Sequence, residues 1–86
     1  MDVADRLAVN LQRLRREKGW SQEDLAEESG LHRTYVSGIE RRKRNPTITV
    51  VDRLAVALKV PMGALLDAPP RPGSRPIRSK MRRPSP

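Results

Sequence analysis

The sequence contains no cysteine and no phenylalanine, and only one histidine, one tryptophan and one tyrosine. The lack of thiols excludes disulfides and thiolate metal sites. His32, the sole histidine, has no partners at ligand spacing, so no metal site is expected. Trp20 and Tyr35 alone are too few for the aromatic stacking platforms of RNA readers. No apolar run approaches the roughly 18 residues that span a bilayer. The N-terminus also lacks a signal peptide's charged-then-apolar layout, so a soluble, cytoplasmic protein is the default expectation. There is no Gly-rich phosphate loop and no carboxylate pair in an apolar setting. Neither an enzyme, nor a cofactor, nor a small-molecule ligand is expected.

What the chain does carry is positive charge. Its 86 residues include 18 Lys/Arg against 10 Asp/Glu, for a net charge of +8. That balance points to a polyanionic partner, either nucleic acid or an anionic membrane surface. Residues 1–66 hold 12 Lys/Arg against 9 Asp/Glu, and residues 67–86 hold 6 against the single Asp67. Six of the eight prolines lie beyond position 68. The foldable part is therefore expected over 1–66. The stretch 67–86, rich in Pro, Ser, Gly and Arg, has too little apolar surface to offset ordering entropy, and a flexible basic tail is expected there. A domain of about 66 residues buries only about 60% of its unfolded surface, so a partner subunit would help stabilise it.

Apolar residues Val3, Leu7, Leu11 and Leu14 recur at helical spacing between Asp2 and Lys18, and Gly19 ends that segment. Ser21 is a good N-cap for a second helix, with Asp24 placed to complete a capping box and Trp20 and Leu25 a hydrophobic staple. Gly30 closes this helix after two turns. A third helix is expected over Arg33–Arg41, ahead of the break at Asn45-Pro46. Thr47 caps a fourth, with Val51, Leu54, Ala55 and Leu58 on one face, and a fifth spans Met62–Leu66. The chain reads as all-α.

The stretch QEDLAEESGLHRTYVSGI, residues 22–39, puts two short helices around Gly30. Ala26 is small where the helices cross, and Gly30 can take a left-handed backbone that other residues adopt only at a cost. Val36 and Ile39, with Leu25, plug the angle between the helices. These are the requirements of a helix-turn-helix.

With the flanking LRREKGW and ERRKRNPT, and the following VVDRLAVALKV, this stretch resembles the lambda-repressor-like, Cro/cI-type (XRE) helix-turn-helix family from about Leu14 to Leu66. The segment RTYVSGIERRKRNPT is also similar to restriction–modification controller proteins. The resemblance implies a compact five-helix domain that reads double-stranded DNA with its third helix. The tail has no counterpart in the family pattern. His32 departs from it, because Ser, Thr, Asn or Asp is commoner where the third helix begins.

On a helical wheel, Val36 and Ile39 point into the domain, while Arg33, Thr34, Ser37 and Gly38 share the opposite face. Inside a helix-turn-helix that face is the reading surface. Arg can bond the O6/N7 edge of guanine, and Thr offers a hydroxyl and a methyl, so Arg33, Thr34, Ser37 and Gly38 are the candidate base contacts. Gly38 is expected to let the helix approach the groove wall closely. Tyr35 and His32 are candidate phosphate contacts, as is the run Arg41, Arg42, Lys43, Arg44 and Asn45 beside the groove. The family resemblance implies that Gln22 bonds a phosphate. It also implies a structural ion pair between Arg15 and Glu40 that anchors the third helix.

One such domain makes few contacts, so a homodimer on a palindromic site is expected, with Val50, Val56, Met62 and Leu65 as candidate interface residues. The competing roles are an autoregulatory repressor or activator, a restriction–modification controller, and an antitoxin with a protein partner. Outside DNA binding, the basic tail could meet anionic lipid, but it lacks the leucine and aromatic face of an inserted helix.

Overall fold

The computed structural model describes residues 1–70. Five helices follow in order: α1 (Val3–Glu17), α2 (Gln22–Ser29), α3 (Arg33–Glu40), α4 (Ile48–Leu58) and α5 (Met62–Leu66), with no strand among the described residues. From residue 71 onward, the expected basic tail lies outside the described residues.

Short polar side chains start three of the helices. Asp2 accepts from the Asp5 amide at 2.9 Å, and Thr47 from the Val50 amide at 3.3 Å. At α2 the capping box is complete: the Asp24 amide donates to Ser21 Oγ at 3.0 Å and the Ser21 amide to Asp24 Oδ2 at 2.8 Å. These bonds satisfy amide groups that a helix start leaves without partners.

Four helices end in a left-handed residue whose neighbours donate back into the last turn. The residues are Gly19, Gly30, Arg42 and Lys59. At the third of these ends, the Arg42 amide donates to Ile39 O at 3.1 Å and the Lys43 amide to Gly38 O at 2.7 Å. This Schellman geometry favours glycine. Gly30 meets that demand at φ 75°, whereas Arg42 adopts φ 61° despite its side chain.

Leu7, Leu11, Leu25, Val36, Ile39, Val51, Leu54, Leu58 and Leu65 are buried in one core drawn from every helix, with Trp20 packed against it. Each fully buried aliphatic side chain contributes about 1.5–3 kcal/mol, so this shared core, more than helix propensity, sets the crossing of the short helices. Leu65 is fully buried, which removes it from the expected dimer interface: it belongs to the core. Met62 and Val50 also pack partly against that core, while Val56 is 67% exposed.

α5 is held by polar groups of α1. The buried Asn10 amide donates to Leu65 O at 2.9 Å and to Asp67 O at 2.7 Å, and Arg6 Nε donates to Leu66 O at 2.7 Å. The carbonyls at the end of a five-residue helix thus find partners away from water.

Candidate nucleic-acid interface

The orientation of α3 is set by a buried charge pair. Arg15 of α1 donates through Nε to Glu40 Oε2 at 2.7 Å and through a terminal nitrogen to Glu40 Oε1 at 3.0 Å. Its other terminal nitrogen donates to Trp20 O at 2.8 Å. Gln22 of α2 adds a third bond to the carboxylate, its amide nitrogen donating to Glu40 Oε1 at 3.0 Å. The hydrogen bond to Glu40 raises the Arg15 pKa against the lowering effect of desolvation, and the charge attraction of the same carboxylate adds to the rise. The end of α3 is therefore fastened to both α1 and α2.

With Val36 and Ile39 in the core, the opposite side of α3 opens onto a concavity of about 310 Å³ lined by Gln22, Arg33, Thr34, Ser37, Gly38, Arg41, Lys43 and Arg44. No acidic residue lines it. Arg33 and Thr34 are exposed and Ser37 is half-buried. The Arg33 side chain lies 3.8 Å from exposed Glu23 of α2, a loose surface pair.

Gly38 has a different reason from the one the sequence suggested. It is buried, and a Cβ built on it would lie 2.6 Å from Cγ of Arg44. The stem of Arg44 folds back across the helix at the one position without a side chain, and its guanidinium sits 5.7 Å from the Tyr35 ring centroid. What the bare backbone admits here is an arginine from the next loop. Arg44 thereby joins the outer face of α3, where the sequence had suggested a phosphate contact beside the groove.

The other cations separate. Arg41 and Lys43 line the concavity. Arg42 turns away to donate to Asp5 Oδ1 of α1 at 2.6 Å. Asn45 lies with Pro46 in a different, apolar groove lined by Val3, Leu7, Ile48 and Leu66. His32 caps α3, its Nδ1 accepting from the Thr34 amide at 3.1 Å and lying 2.7 Å from Thr34 Oγ1.

The helix-turn-helix family model matches residues 11–65, which include α2, α3 and their turn. The chain belongs to the XRE-type helix-turn-helix family of DNA-binding transcription regulators. It is 44% identical over 68 residues to a hypothetical transcription factor from Neisseria meningitidis, covering 79% of this chain but only 64% of that protein. It is 46% identical over 66 residues to the control protein C.SmaI of Serratia marcescens, covering 77% and 79% of the two chains. The crystal structure of the restriction–modification controller protein C.AhdI from Aeromonas hydrophila superposes with a TM-score of 0.70 at 42% identity, covering 72% of this chain and 94% of that one. The controller C.Esp1396I, solved as a tetramer on its natural 35-base-pair operator, matches with a TM-score of 0.67 at 41% identity over 71% and 80% of the chains.

Within this XRE-type domain, sequence reasoning missed the partners that reach across long separations. The Asp5–Arg42 pair spans 37 residues and the Gln22–Glu40 bond spans 18. Neither follows from a local rule. The glycine at 38 was a visible signal that something lies against α3, though not of what.

Proposed function

We propose that this regulator reads the major groove of double-stranded DNA with α3, as a homodimer on a palindromic operator. The observation that carries this reading is the acid-free concavity on the outer side of a helix whose inner side is core and whose end is pinned by Glu40. Only donors, hydroxyls and cations face outward there, which suits base edges flanked by phosphates.

Arg33, Thr34 and Arg44 are assigned to base edges, with Ser37 beside them. Lys43, Arg41 and Tyr35 are assigned to the backbone. Gln22 keeps one amide hydrogen free after bonding Glu40 and can offer it to a phosphate. Arg42 and Asn45 receive weaker roles because one is paired with Asp5 and the other faces a different groove. The two subunits' α3 helices would enter successive grooves about 34 Å apart.

The likeness to C.SmaI and C.AhdI favours a restriction–modification controller over an antitoxin. The operator complex of C.Esp1396I, a tetramer, suggests that two dimers act side by side on one control region. Selection of bound sites from random duplex DNA tests the reading. A recovered inverted repeat with half-sites one turn apart is the expected result. Recovery of no sequence preference would overturn it.

A further inference from the structure

The imidazole of His32 makes two contacts with Thr34 through the same nitrogen: the backbone amide donates to Nδ1 at 3.1 Å, and Oγ1 lies 2.7 Å from it. A backbone N–H can only donate, so Nδ1 must be the unprotonated nitrogen of the ring. An unprotonated Nδ1 has only a lone pair to offer, so the hydroxyl at 2.7 Å must be the donor. The one hydroxyl proton of Thr34 is then committed inward, and its oxygen presents lone pairs alone to the concavity that Thr34 lines.

We infer that His32 locks the Thr34 hydroxyl as an acceptor, so that Thr34 reads a base carrying an exocyclic amine, N6 of adenine or N4 of cytosine. This rests on Thr34 being a base contact, as proposed above. The lock has a second consequence. A phosphate oxygen also only accepts, so a hydroxyl held in this way cannot bond the backbone. His32 is thus a positioning residue that sets both the class of partner and the polarity of readout at one operator position.

The experiment uses the full chain and the operator found by site selection. Thr34→Val first identifies the base position whose preference depends on the hydroxyl. Duplexes are then compared in which that base keeps its exocyclic amine or carries the amine-deleted analogue, purine for adenine or pyrimidinone for cytosine. For the native chain, deletion of the amine is expected to weaken binding about 2- to 12-fold at pH 8, the range for one hydrogen bond. His32→Asn retains an acceptor oxygen for both Thr34 groups, so the ratio should persist. His32→Ala should lose it, with circular dichroism confirming that the helices remain.

A Thr34-dependent position that tolerates loss of the amine at pH 8 overturns the lock alone. So does a native ratio that is unaffected by His32→Ala. A Thr34→Val protein with unchanged preference at every position overturns the base-contact reading, and this assignment with it.

Discussion

Both carboxylate oxygens of Glu40 are engaged by the Arg15 guanidinium, at 2.7 and 3.0 Å, across 25 residues of sequence. The pair lies beneath the proposed reading helix, so it controls where that helix points without touching anything the helix reads. Glu40→Ala would strand the buried Arg15 charge, and removal of one partner from such a pair costs about 3–5 kcal/mol. Denaturant unfolding should show a loss of that order, and any DNA still bound should be chosen with the native sequence preference. The Arg15 pKa is raised on folding. Its contribution is therefore fully present below the unfolded-state value and is lost only as pH rises through the folded one. Because arginine stays charged throughout the working range, the Arg15 guanidinium should add no pH dependence there.

Gly38→Ala separates helix stability from reading. Alanine is favoured over glycine in a helix interior by about 0.5–1 kcal/mol, but the new Cβ would lie 2.6 Å from the Arg44 stem. The stem must move, and the guanidinium leaves Tyr35. Thermal stability should stay near the native value while operator affinity and discrimination fall, by roughly 1–3 kcal/mol if Arg44 reads a base. Native affinity in the alanine variant, measured by fluorescence anisotropy, would show that Arg44 plays no part.

Lys43 and Arg33 should fail in different ways. Lys43→Ala is expected to weaken binding to all sequences alike and to flatten the salt dependence by about one unit of slope. Arg33→Ala should relax preference at one base position by roughly 1–3 kcal/mol with little change in slope. Titrations at several salt concentrations on operator and scrambled duplexes distinguish the two, and the reverse pattern would mean the roles are exchanged.

Arg42 offers a test of backbone strain. It occupies a left-handed conformation at φ 61°, and its compensation is an exposed pair with Asp5. Left-handed backbone costs a non-glycine residue about 1–2 kcal/mol, whereas an exposed ion pair contributes about 0–1 kcal/mol. Arg42→Gly should therefore leave the unfolding midpoint unchanged or raise it. Its effect on the salt slope should be smaller than that of Lys43→Ala. A clear drop in stability would show that the Asp5 contact is worth more than its exposure suggests.

Two exposed apolar sites compete for the subunit contact of the proposed homodimer. Val56 on the outer side of α4 is 67% exposed, and Ile48, in the groove with Val3 and Leu66, is 75% exposed. Val56→Asp should shift the proposed dimer towards monomer by roughly tenfold or more in dissociation constant, read by sedimentation, with unfolding unaffected. If Ile48→Asp does this instead, the interface lies at the start of α4.

The helices and their boundaries could be read from the sequence because their signals are local: Ser21 with Asp24, Gly30 at the turn, Thr47 ahead of α4. The outward set Arg33, Thr34 and Ser37 followed equally from helical periodicity once Val36 and Ile39 were placed inward. Leu65 was misplaced because a five-residue helix is too short for periodicity to tell core from surface. The path of residues 41–45 was not legible either, because it depends on a left-handed arginine that local rules disfavour. With that path unknown, the partner of Gly38 was hidden too.

Glu40 belongs to α3 but is bonded to α1 through Arg15 and to α2 through Gln22. Neither α1 nor α3 can detach without stranding a charge in the space left behind, so the amides of these two helices should exchange with solvent as one cooperative unit. α5 is held to α1 by bonds from Asn10 and Arg6 to its carbonyls, with no buried ion pair to break, and should open first.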